Sequence, residues 1–353
     1  MNSNILLRGG GAMLALLLLG ACTAPPSTGA ASPAAERTTL VWPKPPEHPR
    51  IRYAGTIRGH ADTGATNDFA TSLFNLVIGR REFQIEQPHG VTEDRQGRLY
   101  VVDSRLRGVH IFDLKKGTHR IFPDQPVEGF LTPLDVAVSD DGRIFVSDSE
   151  AGIVHVFSDL GKRYEGHFGT DQMERPTGLA LTARSRDLIV CDTLGSRLAI
   201  YDPRTLKLKR IVGGKGDGRR GFNYPTAVTV GRGGRIYVTD SLNFRVQILS
   251  SDYRFVGRFG TAGDAPGHFA RPKGIATDRD GNIYVVDALF DNVQIFDPEG
   301  RLLMAFGSPG SKAGELWLPT GIYIDPQDRI YVADSYNQRL QIFERVKTVP
   351  SAP

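Results

Sequence analysis

Six aspartates keep one beat along this 353-residue chain: Asp103, Asp148, Asp192, Asp240, Asp287 and Asp334, at intervals of 45, 44, 48, 47 and 47. Six carboxylates gathered around one axis could grip a cation, the sharpest chemistry open to these residues. The spacing argues for another job. Pro88, Pro133, Pro176, Pro225, Pro272 and Pro319 keep the same beat, each fifteen or sixteen residues ahead of its aspartate. A residue present in every copy of a repeated unit serves the unit, so the aspartates read as structural and no metal is assigned. In three units an arginine follows five residues later, at Arg197, Arg245 and Arg339. That spacing lets the carboxylate pair across a loop while also capping backbone amides. Gly108, Ile153 and Asn292 hold the place elsewhere, and those loops are expected to be looser.

The other reactive side chains are scattered. After the six prolines stand His89, Leu134, Thr177, Thr226, Lys273 and Thr320. One histidine in six cannot build a three-nitrogen zinc site. His110 and His155 occupy places filled by Gln247, Gln294 and Gln341 in other units, and read as strand residues. Cys191 ends an apolar run without a basic neighbour, so it reads as a small buried hydrophobe. The glycine-rich stretch 213–218 lacks the helix and the Lys-Ser/Thr ending of a phosphate loop. No Gly-x-Ser-x-Gly occurs, and no catalytic residue or cofactor is assigned.

The repeat predicts the elements that position these residues. In the fourth unit, residues 226–230 form a short inner strand, 231–234 a turn, and 235–240 a second strand ending in the aspartate. A loop at 241–244 leads to a third strand, 245–249, and then an outer strand, 255–260. Four antiparallel strands in about 47 residues make one propeller blade, and six copies make an all-β, six-bladed β-propeller. Forty glycines and 22 prolines suit its many turns. The last unit lacks an outer strand, and residues 50–59 read like one, so an N-terminal strand is expected to complete the last blade.

Two stretches carry a family likeness. Residues 272–278, 280–287 and 292–296, like 319–322 and 331–343, resemble the NHL repeat, and the likeness spans 88–345. The small residues Gly20-Ala21 before Cys22, after Arg8 and an apolar run too short to cross a bilayer, resemble a bacterial lipobox. Together they resemble bacterial six-bladed NHL-type lipoproteins. The resemblance implies a lipidated Cys22, and Thr23 in place of aspartate implies sorting to the outer membrane, facing the periplasm. The expected boundaries are a signal peptide at 1–21 and a Pro/Ala/Ser-rich tether at 22–48. A propeller at 49–347 and a tail at 348–353 follow. An insertion at 61–86, with Phe69, Leu73, Phe74, Val77 and Ile78, is expected over one face.

A net charge of +4 gives no reason to invoke nucleic acid. In such a blade the turns before the first strand and after the second share one face. That face is expected to gather His89, Arg105, Arg107, Leu194, Leu242, Phe244, Lys273, Leu289, Phe290 and Tyr336. The opposite face collects Asp94, Asp140, Asp141, Asp278, Asp280, Asp325 and Asp328 as a solvated acidic rim. Apolar and aromatic loop tips beside arginines suit capture of an envelope protein or peptide by a monomeric scaffold. The rival reading is a metal-dependent hydrolase or lyase using His89. The amidating lyase of peptide hormones is similar to this chain, but that likeness implies zinc-binding histidines after three of the six prolines, where only His89 stands.

Overall fold

The computed structural model describes residues 40–63, 83–183 and 186–346. Residues 1–21, expected to be a signal peptide, Cys22 and the apolar residues 69–78 of the insertion lie outside them. Six antiparallel sheets follow one another around a hub, five of four strands and one of five.

Each blade's second strand explains the apolar runs in the sequence. Leu99–Asp103, Ile144–Asp148, Leu188–Asp192, Ile236–Asp240 and Ile283–Asp287 are buried at every residue. Alternate side chains of a strand point to opposite faces, so each strand feeds two seams. Tyr100 and Val102 enter the seam with the second blade, and Leu99 and Val101 enter the seam with the sixth. Among the described residues six such clusters, one between each pair of neighbours, run once around the ring, with no separate central core.

The N-terminus closes the wheel. Ile51–Ile57 pairs antiparallel with Arg339–Arg345, from Ile51 opposite Arg345 to Ile57 opposite Leu340. Val41–Trp42 then pairs with Ile51–Ile57 as a fifth strand. The Trp42 ring meets Phe343 edge-on at 5.6 Å and Phe306 at 6.1 Å. Residues 41–42 therefore belong to the sheet and not to the tether in which the sequence reading placed them.

At the hub there is little room between inner strands, and this accounts for the glycine two residues after most of the prolines. A Cβ on Gly321 would fall 2.0 Å from the His89 carbonyl oxygen, and one on Gly178 would fall 2.6 Å from the Ala227 Cα. Hydroxyls latch one blade to the next. Thr193 donates to the Pro225 carbonyl at 2.6 Å, Ser241 to Pro272 at 2.5 Å, and Ser335 across the closure to Pro88 at 2.6 Å.

The acidic rim is not solvated in the expected way. Asp278, Asp325 and Asp328 are buried. Asp278 caps its own hairpin, accepts the Tyr284 hydroxyl at 3.1 Å and meets Arg345 at 3.1 Å. Asp325 accepts Arg329 at 2.6 Å, and Asp328 pairs with Arg279 at 2.6 Å. These acids fasten turns, and their charge is largely spent within the fold.

If the N-terminal strands seal the ring, removing residues 40–58 lowers the thermal midpoint sharply, and Trp42→Ala alone costs about 3 kcal/mol in denaturant titrations. A melt unchanged by the deletion would contradict the closure.

Candidate functional site at the channel mouth

The six aspartates are fully buried, and their carboxylates hold the loops of one face. Each accepts backbone N–H groups from the segment entering its blade. Glu86 and Gln87 donate to Asp103, Leu131 and Thr132 to Asp148, Glu174 and Arg175 to Asp192. Asn223 donates to Asp240, Ala270 and Arg271 to Asp287, and Trp317 to Asp334. The Nε of Arg197, Arg245 and Arg339 donates to the carboxylate of its own blade at 2.9, 2.8 and 2.7 Å.

The three loops without arginine keep the same amide cap, so they are not released as their sequence suggests. His110 stands 3.4 Å from Asp103, and His155 stands 3.9 Å from Asp148. Burial pushes Asp103 up, but the His110 hydrogen bond and backbone amides more than offset it, leaving the carboxyl below its usual value. His110 passes its other ring nitrogen to His119 at 2.8 Å.

Anchoring the loop backbone this way turns one side chain per blade outward. Two residues after the aspartate stand Arg105, Glu150, Leu194, Leu242, Leu289 and Tyr336, all exposed. The amides of Arg105, Glu150 and Leu289 donate to the carboxylate, while those of Leu242 and Tyr336 donate to the Asn223 and Trp317 carbonyls. The first two blades place charge here: Arg105 pairs with Glu86 at 3.1 Å, and Glu150 accepts the Thr132 hydroxyl at 2.7 Å. The next four place apolar groups, Leu194, Leu242, Leu289 and Tyr336, each more than half exposed. Trp317, also half exposed, packs beside Tyr336 at 5.5 Å between ring centres. The result is an apolar arc over the third to sixth blades. Arg107 is exposed, whereas Phe290 is half-buried and Phe244 turns against the seam between the fourth and fifth blades.

Inside the arc the hub opens into a channel of about 500 Å³. Its mouth is ringed by His89, Leu134, Thr177, Thr226, Lys273 and Thr320, and the next inward layer is Val91, Val136, Leu179, Val228, Ile275 and Ile322. Thr177 and Thr320 are engaged: each lies 2.7 Å from a neighbouring hydroxyl, of Thr193 and Ser335, and 3.1 Å from a carbonyl, of Thr226 and Pro88. His89 is lowered to about 4 by burial and then by the Lys273 charge. Lys273 is lowered to about 8 by burial, then by Arg271 and Arg175.

One channel residue, Asp135, was not singled out from the sequence. Asp135 lines the channel in the slot held by Gly90, Gly178, Ala227, Gly274 and Gly321 in the other blades. It accepts the Leu179 amide at 2.8 Å and the Val136 amide at 2.9 Å, and burial raises it to about 7. An acid in a glycine slot was the available signal. Among the described residues, no three of His, Cys, Asp and Glu gather closely enough to hold a metal ion.

Residues 222–249 and 316–343 match the model of the NHL repeat, so the chain carries NHL repeats on a six-bladed propeller. No curated protein matches the chain. Several solved structures share the fold. A Bacteroides thetaiotaomicron protein of unknown function is 15% identical with a TM-score of 0.60, over 84% of this chain and 76% of that one. Virginiamycin B lyase from Staphylococcus aureus is 15% identical with a TM-score of 0.55, over 74% and 95%. An auxiliary nutrient binding protein from Bacteroides ovatus is 13% identical with a TM-score of 0.57, over 74% and 70%. At such identities the likeness concerns the fold alone.

The Asp135 carboxyl gives a pH signature. Its folded value, about 7, lies above the ordinary 3.8, so the folded state holds the proton longer and stability falls as pH rises from about 4 to 7. Asp135→Asn lacks this slope, and its thermal midpoint gains on the unaltered protein between pH 4 and pH 8. Parallel curves for the two proteins would show that the carboxyl is not held in this way.

Proposed function

We propose that this protein is a membrane-anchored, periplasm-facing scaffold that binds an envelope protein or peptide on the channel-mouth face. The observation that carries the reading is the arc of Leu194, Leu242, Leu289 and Tyr336 with Trp317. The fold does not require apolar groups there, because the first two blades hold Arg105 and Glu150 at the same loop position. Leaving four successive tips and the adjoining Trp317 in water gains nothing for an isolated monomer, but it supplies the apolar anchors of an interface. Arg105 and Arg107 at the charged end of the ring would orient the partner. The printed name of the Bacteroides ovatus protein concerns binding, which agrees with this use of the fold.

Anchoring rests on Cys22 alone. Acylation of its thiol and of the new amino terminus would hold the wheel at the outer membrane, since each buried methylene contributes about 0.8 kcal/mol.

Two measurements test the reading. Cross-linking in intact cells is expected to give a discrete adduct that disappears when Leu242, Leu289 and Tyr336 are replaced by aspartate, while the purified variant melts normally. An adduct untouched by those replacements would remove the arc from the interface. Cys22→Ala is expected to move the protein from the membrane fraction to the soluble fraction, and continued membrane retention would rule out the lipid anchor.

A further inference from the structure

We infer that the channel is itself a ligand site, taking a single carboxylate on an apolar body. The carboxylate lies between Lys273 and His89 at the mouth, and the body extends into the apolar layer beneath.

Lys273 is the starting point. In the third, fourth and sixth blades the residue after the proline is a threonine bonded to the hydroxyl that follows the aspartate. Thr177 meets Thr193, Thr226 meets Ser241, and Thr320 meets Ser335, each at 2.7 Å. Those hydroxyls also carry the blade-to-blade latches. The fifth blade has lost both members of the pair, to Lys273 and Ala288. There the joint to the sixth blade is a backbone bond from Gly274 to the Thr320 carbonyl at 2.8 Å, which needs no side chain.

The lysine therefore replaces a structural group without taking over its work. It stands in the channel wall, no carboxylate among the described residues pairs with it, and the charges nearest to it in effect are the cations Arg271 and Arg175. A half-buried ammonium facing other cations is costly unless an anion arrives. His89 lines the same mouth one blade beyond the sixth and feels the Lys273 charge.

The channel fixes the rest of the ligand. Below the mouth, Val91, Val136, Leu179, Val228, Ile275 and Ile322 offer apolar contact beside the polar Thr92, Asp135 and Thr229. The volume, about 500 Å³, falls within the usual span of small-molecule sites, roughly 300–1,000 Å³. Asp135 belongs to the second blade, across the ring from the fifth, and above about pH 7, where it is ionised, disfavours a second negative charge on the far wall. The carboxylate can belong to a free small acid or to the C-terminus of a peptide. Only the latter rests on the docking reading above.

Titration calorimetry on the purified mature protein tests this with octanoate, octanamide and the dicarboxylate suberate. Octanoate is expected to bind one to one, with octanamide and suberate at least about tenfold weaker. Lys273→Met should abolish the preference for acid over amide, and Asp135→Asn should narrow the gap to suberate, with both variants still melting cooperatively. Equal affinity for octanoate and octanamide, no binding of octanoate, or a preference surviving Lys273→Met would each overturn the site. A short acetylated peptide with a free C-terminus, compared with its amide, identifies the source: the peptide arm requires the free form to win. The triple aspartate variant of the arc should still bind octanoate, so failure of the docking reading leaves this inference separately decided.

Discussion

A strand buried on both faces can exist only between two neighbours, and every second strand of this protein is such a strand. That constraint governs the molecule. Six sheets each bury two faces, so the row of seams must return to its start, and any open end would expose a fully apolar face and a free sheet edge. The N-terminal strands, Trp42 and the Ser335–Pro88 latch all act where the row meets itself. Stability is thus distributed around the ring, and the hub is left free of core duty.

The function proposed here follows from that division of labour. Carboxylates buried at the ends of the second strands hold the loop backbones, so the mouth face gains a fixed register without relying on its own exposed side chains. The tips are then at liberty to vary between blades, and they do, from charged in the first two to apolar in the next four. The hub varies in the same way. Threonine and serine pairs latch three blades, whereas His89 and Lys273 stand where the latch threonine is replaced, and Asp135 stands in a place that is glycine in four other blades.

Much of this was legible in the sequence because a repeat writes each rule six times. The proline and aspartate beats reveal the blade count, and the missing outer strand of the last unit points to its replacement at 50–59. Departures from the rule were harder to read. Asp135 looks like one residue of an unremarkable strand until its slot is aligned with Gly90 and Gly274, and its chemistry comes from burial at the hub. The acids of the opposite face look solvated, because nothing local shows that Arg345 and Arg279 reach them from distant strands. The loops without arginine look loose, since backbone amides leave no mark in a sequence.

Native-state hydrogen exchange on the second-strand amides measures the closed ring most directly. If six equivalent seams carry the fold, Leu99–Asp103 and Arg329–Asp334, which flank the closure, exchange as slowly as Ile236–Asp240 on the far side, all through one global opening. Exchange at the closure faster by orders of magnitude, with the far side still protected, would show an open row of blades and contradict the wheel.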